Sequence, residues 1–316
     1  MNATNPLTAV IFPGQGSQVK DMGRELAEAS SDAMYLWQLA ENVSQLPLRE
    51  IYWGGDNTDM ADTKALQPAM TVCALSLWMH AEKRISADCF AGHSLGEYPA
   101  LAAAKILPVE TVLALVSLRG RLMGEVAKED EGMTAILRTP LKKVEEIVAS
   151  VREKSGLELS VANYNTPSQF VLTGKKEALT AVAALVKEQK GRAIPLPVSG
   201  AFHSPLMAEA ADELKSQLLA ADWSQPEKPV YFNVTAGPED NPERIRDIMV
   251  QQMTSPVRWI EIITNQYNAG VRTWYEPGPK GVLTKMLGQT LKGVDAEWTG
   301  KSLDSTTAIL EAKPGL

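Results

Sequence analysis

Several things are scarce in this chain of 316 residues, and each scarcity removes a class of function. Cysteine occurs twice, as Cys73 and Cys89, both inside apolar segments. That excludes a disulfide-stapled secreted scaffold and predicts two buried free thiols in a reducing compartment. With three histidines and two cysteines, no Cys/His spacing suits zinc, and no metal is expected. Basic charge is short: 31 Lys and Arg against 38 Asp and Glu leave a net charge of −7. Such a balance argues against nucleic acid as a main partner. No apolar run approaches the roughly 18 residues of a membrane span. The opening "MNATNPLTAVIF" lacks the basic start and long apolar stretch of a signal peptide, so the cytoplasm is the expected location. What remains is ordinary globular composition, 45% hydrophobic and 22% charged. The length suits a large domain, alone or carrying a small one.

Strands alternate with helices at both ends of the chain. "TAVIF" (8–12) reads as a short buried strand running into the loop "PGQGSQ", and "QPAMTVCALSLWMHAEKR" (67–84) as a helix apolar almost all round. "ADCFAG" is a strand and "LGEYPALAAAK" the helix after it, so a mostly parallel α/β sheet is predicted. The middle changes character. Strand 133–137, helix 141–154, strands 158–162 and 169–174 joined by the turn-rich "NYNTPS", helix 175–190 and the strand "RAIPLPV" follow in the order βαββαβ, the ferredoxin-like arrangement. The predicted division is therefore an inserted subdomain over 131–199 within a discontinuous large domain, 1–130 and 200–316. Helices at 205–221, 242–253 and 257–269 and the strand "VRTWYE" complete the large domain. The tail after Lys292 has little periodicity and is expected to be loosely held.

The chemistry starts at Gly92-His93-Ser94-Leu95-Gly96. A Gly-x-Ser-x-Gly pattern between a buried strand and an Ala-rich helix places a serine hydroxyl at a helix N-terminus, where backbone N–H groups can hold an oxyanion. The serine needs a base. His80 belongs to the apolar helix, where a structural role is expected, and His93 shares the turn with Ser94, its side chain directed away. His203, in "SGAFHSPLM", sits at a strand end before a helix, where functional side chains gather in open α/β sheets. By elimination and position it is the base. Arg119 falls within the helical stripe Val112, Leu115, Leu122 and Val126, whereas Arg121 does not. A core-facing guanidinium needs an anion, either a structural carboxylate or the carboxylate of a substrate.

The segments "FPGQGSQ", "GHSLGEYPAL", "RGRLM", "VANYNTPSQFVLTG", "AFHSPLM", "SPVRW" and "YEPGPKGVLTKM" together resemble the malonyl-CoA:acyl carrier protein transacylases and the related acyltransferase domains of polyketide synthases, over about residues 8–290. The resemblance implies a hydrolase-like α/β domain with the ferredoxin-like insertion. It implies Ser94 as nucleophile, His203 as base, and the backbone N–H groups of Gln15 and Leu95 as the oxyanion hole. Arg119 would pair with the malonyl carboxylate, Asn163 would contact substrate, and the Gln252 backbone carbonyl would orient His203 in place of a triad acid. Phe202, before the histidine, accompanies malonyl selectivity in the family. The implied substrates are malonyl-CoA and the phosphopantetheine thiol of an acyl carrier protein, with no further cofactor or metal and a monomeric enzyme. "PGPKG" departs slightly from the family's more frequent Gly-Pro-Gly-Lys.

Other readings of the residues fit less well. An ordinary esterase would need an acid between Ser94 and His203 and usually a His-Gly-Gly-Gly oxyanion loop; no such loop occurs, and the first-strand loop is "PGQGSQ". A hydrolase for stalled acyl groups would have little use for Arg119, and a trans-acting polyketide acyltransferase would share every motif. A non-catalytic docking module would not need Ser94, His203 and Arg119 together. An acidic carrier protein would require a local basic patch, for which Lys175, Lys176, Lys187, Lys190, Arg192, Lys280 and Lys285 are the candidates.

Overall fold

A computed structural model describes residues 6–54, 60–198 and 200–312. β1 (Leu7–Phe12) is buried from Thr8 onward, as a strand covered on both faces must be. Three helices, α1 (Arg24–Ala29), α2 (Ser31–Ser44) and α3 (Leu48–Trp53), lead to α4 (Thr63–Ala81). That helix is apolar all round because it is enclosed; within it only Lys64, Met79 and His80 are not buried. β2 (Cys89–Gly92) passes through a 3-10 turn (Ser94–Gly96) into α5 (Glu97–Ala103), and α6 (Val109–Glu125) follows. Next come β3 (Glu131–Leu137), α7 (Leu141–Ser155), β4 (Leu159–Thr166), β5 (Gln169–Lys175), α8 (Lys176–Glu188) and β6 (Arg192–Pro195). The chain continues through α9 (Ala208–Ala220), β7 (Val230–Tyr231), β8 (Pro238–Glu239), α10 (Pro242–Gln251), α11 (Trp259–Asn268), β9 (Val271–Pro277), α12 (Val282–Thr290), β10 (Thr299–Leu303) and α13 (Thr306–Glu311).

The strands form two sheets. The larger has the order β10-β9-β1-β2-β7-β8, parallel except for the short antiparallel edge strand β8. The smaller has the order β4-β5-β3-β6 and is antiparallel throughout. α7 and α8 cover one of its faces through apolar stripes at three- and four-residue steps, Val144, Ile147, Val148, Val151 and Ala178, Leu179, Val182, Val186. Alternation along the strands sends Ile136, Phe170 and Leu172 into that small core, and Met133, Ala135 and Val171 into the core of the large sheet. This period of two lets one small sheet both close its own core and present side chains to the site.

Several expected boundaries shift, each for a physical reason. The tail is not loose: β10 pairs in parallel with β9 over Thr299–Leu303, and α13 packs behind it. As an edge strand β10 buries only Leu303, so no hydrophobic period marks it in the sequence. "NYNTPS" is mostly strand rather than turn, because β4 runs on to Thr166 through two register irregularities. Its Tyr164 N–H donates to the Val257 carbonyl. Val257 is thereby held in a bridge with Asn163, and α11 starts two residues later than expected. β6 stops at Pro195, short of the expected Val198. The outer limits of the expected division, at residues 1, 199 and 316, lie outside the described residues. Cys73 and Cys89 are free and buried, and burial pushes both thiols up to about 12, keeping them protonated. No helix among the described residues is long and apolar enough to cross a membrane.

Candidate active site

The turn after β2 explains its own glycines. A Cβ on Gly92 would lie 1.9 Å from the Gly96 carbonyl carbon and oxygen, and one on Gly96 would lie 2.0 Å from the Phe12 carbonyl oxygen. Any side chain at either position would force the backbone apart. Between them Ser94 adopts φ 53, a left-handed conformation that costs a β-carbon residue about 1–3 kcal/mol. Amide side chains hold the peptide groups on both sides of it. The Ser94 N–H donates to Asn233 Oδ1 at 2.7 Å, and Gln252 Nε2 donates to the Ser94 carbonyl at 2.8 Å.

The Ser94 hydroxyl meets His203 Nε2 at 2.6 Å. His203 Nδ1 lies 2.9 Å from the Ser255 carbonyl oxygen. A carbonyl can only accept, so the imidazole proton sits on Nδ1 and Nε2 is left to accept the serine hydroxyl. The histidine is buried, and burial is the main cause lowering its pKa to about 3. The Arg119 charge lowers it further, against the carbonyls of Ser255 and Gln252. A neutral base follows. The expectation for Gln252 changes here. The oriented hydrogen bond to His203 comes from Ser255, while Gln252 contributes a nearby carbonyl and uses its side chain on Ser94 and Arg119. Its place at the end of α10, in a 3-10 turn that runs to Thr254, brings both residues to the same spot.

Arg119 projects inward from α6 and is 1% exposed, whereas Arg121 on the same helix is exposed and ion-paired with Glu125 and Glu213. Nη1 of Arg119 donates to Gln67 Oε1 at 2.9 Å, Nε to Gln252 Oε1 at 3.3 Å, and Nη2 to Ser94 Oγ at 3.4 Å. Its guanidinium carbon lies 5.7 Å from the centre of the Tyr98 ring. No carboxylate forms an ion pair with it among the described residues, so the structural-carboxylate alternative is without a partner. Burial lowers its pKa, offset by Tyr98 and by Glu97 nearby, yet an arginine keeps its charge. Neutral amides orient the cation without neutralising it.

These groups face a cavity of about 250 Å³ whose lining includes Gln15, Leu95, Asn163 and Phe202. Leu95 is the second residue of the turn before α5, where N–H groups have no helical acceptor. Gln15 lines the same cavity and follows Gly14, on which a Cβ would lie 2.6 Å from the His93 carbonyl oxygen. The His93 ring turns to Asn165, with Nε2 2.7 Å from Oδ1, and sits edge-on against Trp259. Met133, Ala135 and Val171 of the small sheet give the cavity an apolar wall. His80, half-buried in the last turn of α4, is not part of the lining. A hollow of about 270 Å³ beside Lys20 and Lys280 contains none of these groups.

An activated serine, a neutral histidine and an unneutralised arginine around one apolar-walled cavity suit acyl transfer to and from the serine. The family model of the acyl transferase domain matches residues 9–310. The chain belongs to the acyl transferase family. Among curated relatives, the malonyl CoA-acyl carrier protein transacylase of Bacillus subtilis (strain 168) is 37% identical over 282 residues, 88% of this chain and 89% of that protein. Among solved structures, FabD from Acinetobacter baumannii superposes with a TM-score of 0.90 at 32% identity, covering 98% of this chain and 97% of that one. A malonyl-transacylase in complex with a type II polyketide acyl carrier protein also matches, with a TM-score of 0.90 at 30% identity over 96% and 98% of the two chains. The protein is thus an acyltransferase.

Within this acyl transferase, sequence reasoning missed Gln67, Glu97, Asn165, Asn233 and Ser255. Glu97 carried a usable signal, a carboxylate opening an otherwise apolar helix, the same logic that singled out Arg119. Asn233 and Ser255 lie in irregular loops where no period reports burial.

Proposed function

We propose that this enzyme moves a malonyl group from malonyl-CoA to the phosphopantetheine thiol of an acyl carrier protein through an acyl-enzyme on Ser94. The observation that carries this reading is the buried Arg119 guanidinium, unneutralised and within 3.4 Å of Ser94 Oγ. It is supported by the names of relatives that share most of the chain. In the first half-reaction Ser94 Oγ attacks the thioester carbonyl carbon while His203 Nε2 takes its proton. The N–H groups of Gln15 and Leu95 stabilise the oxyanion, the C–S bond breaks, and His203 returns the proton to the departing sulfur. In the second, His203 takes the proton of the carrier thiol, the sulfur attacks the acyl-serine, and the C–O bond breaks with the proton going back to Ser94. A thiol of pKa near ~8.5 leaves readily, so a dyad held by a carbonyl rather than a carboxylate suffices. Arg119 holds the malonyl carboxylate, Asn163 contacts the acyl-thioester, and Phe202 limits the acyl pocket to malonyl.

In this reading residues 131–199 are a ferredoxin-like subdomain inserted into a hydrolase-like domain of 1–130 and 200–316. The enzyme works as a cytoplasmic monomer with no cofactor beyond its substrates. Intact-mass measurement tests the transfer: malonyl-CoA alone should add one malonyl group per chain, acyl carrier protein should remove it, and Ser94→Ala should take none. Stoichiometric loading of Ser94→Ala would overturn the assignment.

A further inference from the structure

Asn233 does not line the cavity, yet it reaches both ends of the turn that carries Ser94. It is 1% exposed and follows β7, whose pairing with β2 ends at Ala91 and Tyr231. Oδ1 accepts the Ser94 N–H at 2.7 Å, and Nδ2 donates to the Gly92 carbonyl at 2.6 Å. Its backbone N–H donates to Glu97 Oε1 at 2.7 Å. Glu97 is the fully buried first residue of α5, and its Oε2 accepts no hydrogen bond among the described residues.

A strand neighbour would normally supply one acceptor and one donor at this point of β2. The left-handed bend at Ser94 turns its N–H out of the ladder, where a backbone peptide no longer meets it, and a side-chain amide carries both functions instead. We infer that Asn233 is the positioning residue that keeps Ser94 in its left-handed conformation, with Glu97 anchoring Asn233 from the start of α5. The Ser94 N–H is engaged by Asn233, so the Leu95 N–H next to it is the one left to face an oxyanion. The anchor needs only an acceptor oxygen, so a neutral amide at position 97 can serve.

The inference rests on Ser94 being the nucleophile, as proposed above, and its test does not require malonyl. Phenylmethanesulfonyl fluoride labels an activated serine: Oγ bonds to sulfur, fluoride leaves, and the proton passes to the base. The labelling rate at Ser94 is read by intact and peptide mass, with thermal melting as the control for folding. Asn233→Ala and Glu97→Ala should melt cooperatively and label at least ~10-fold more slowly, in line with the cost of misplacing a reacting group by about an ångström. Glu97→Gln should recover most of the rate lost in Glu97→Ala. Asn233→Asp, which keeps the acceptor for the Ser94 N–H but not the donor to Gly92, should fall between. In malonyl loading the rate should drop with the KM for malonyl-CoA little changed. Slowed labelling in folded variants supports the clamp even if the wild-type protein takes nothing from malonyl-CoA, which would sink the proposed transfer alone. A folded Asn233→Ala labelled at the wild-type rate overturns it. Where Asn233→Ala does not fold, Asn233→Asp and Glu97→Ala carry the same comparison. Wild-type rates in the folded ones, or failure of all three to fold, reduce the pair to a structural role and overturn it too.

Discussion

Arg119 Nη2 approaches Ser94 Oγ to 3.4 Å while the remaining guanidinium nitrogens are satisfied by the neutral amides of Gln67 and Gln252. The cation is oriented, desolvated and still owed an anion. A carboxylate-bearing acyl group supplies one, and charge-assisted hydrogen bonds of this kind contribute roughly 1.5–3 kcal/mol each. Arg119→Ala should therefore lower malonyl loading by ~100-fold or more while improving acetyl loading relative to malonyl. Arg119→Lys should rescue poorly, because a point charge cannot occupy two amides and a carboxylate at once. Competition between the two thioesters, read by intact mass, decides it. An Arg119→Ala protein that still prefers malonyl removes the arginine from specificity.

The pH response follows from a histidine whose pKa is lowered to about 3. His203 is then neutral from pH 5 to 8, so the rate of Ser94 acylation should show no inflection at the ordinary histidine value of 6.5. Glu97, pushed up to about 7 chiefly by burial, lies beside the turn and is expected to titrate in that range, whereas burial lowers the pKa of His93 on the turn itself. Single-turnover loading across pH 5–8 in wild type and Glu97→Gln separates them. An inflection near 6.5 that survives both Glu97→Gln and His93→Gln would mean that His203 titrates normally. His203→Ala should slow loading by at least ~100-fold, the usual contribution of a positioned base.

Stability should carry the same two signatures with opposite signs. Between pH 3 and 6.5 the unfolded chain binds a proton at His203 that the native state refuses, so stability falls as pH falls through that window. Between pH 4.5 and 7 the native state keeps a proton on Glu97 that the unfolded chain has lost, so stability falls as pH rises. Glu97→Gln removes only the second effect. Urea unfolding should find this variant gaining on wild type by up to about 3 kcal/mol between pH 4.5 and 7.5, given about 1.4 kcal/mol per pKa unit. A difference between the two proteins that does not change with pH would place the native Glu97 pKa near its ordinary value.

The elements that a period or a spacing can reveal were legible in the sequence. Arg119 stood out because a charge interrupted an apolar stripe of α6. The Gly-x-Ser-x-Gly turn was legible because steric crowding at Gly92 and Gly96 leaves only one residue type. β10 was not, since an edge strand buries one side chain and needs no alternation. Neither was the carbonyl behind His203. Any residue has one, and only the path of the chain after α10 selects Ser255. Asn233 and Gln252 act as amides on backbone groups, a role that composition and periodicity do not encode.

Docking of a carrier protein is the step least tied to the cavity itself. Carrier proteins of the family's pathways are acidic, and this chain carries a net charge of −7, so contact depends on a local excess of basic side chains. Of the candidates, Lys175 is already engaged, its Nζ lying 2.9 Å from Asp130 and 3.0 Å from Glu131. Lys280 and Lys285 are better placed. Both are exposed, Lys285 Nζ donates to the Lys280 carbonyl at 2.7 Å, and they flank Val282 and Leu283, which line the cavity. A carrier held there could deliver a flexible phosphopantetheine arm past α12 toward Ser94. The double charge reversal K280E and K285E should raise the KM for carrier protein by ~10-fold or more at low ionic strength, since like charges facing across a contact cost several kcal/mol. The effect should shrink in salt, where the Debye length drops below about 10 Å. The same reversal of Lys176, Lys187, Lys190 and Arg192 on and after α8 should do less, because none of these lines the cavity. Coenzyme A also carries negative phosphates, so the decisive comparison is between the two substrates. Steady-state kinetics in which the KM values for malonyl-CoA and carrier protein rise together would make this a nucleotide-facing patch and move the carrier elsewhere.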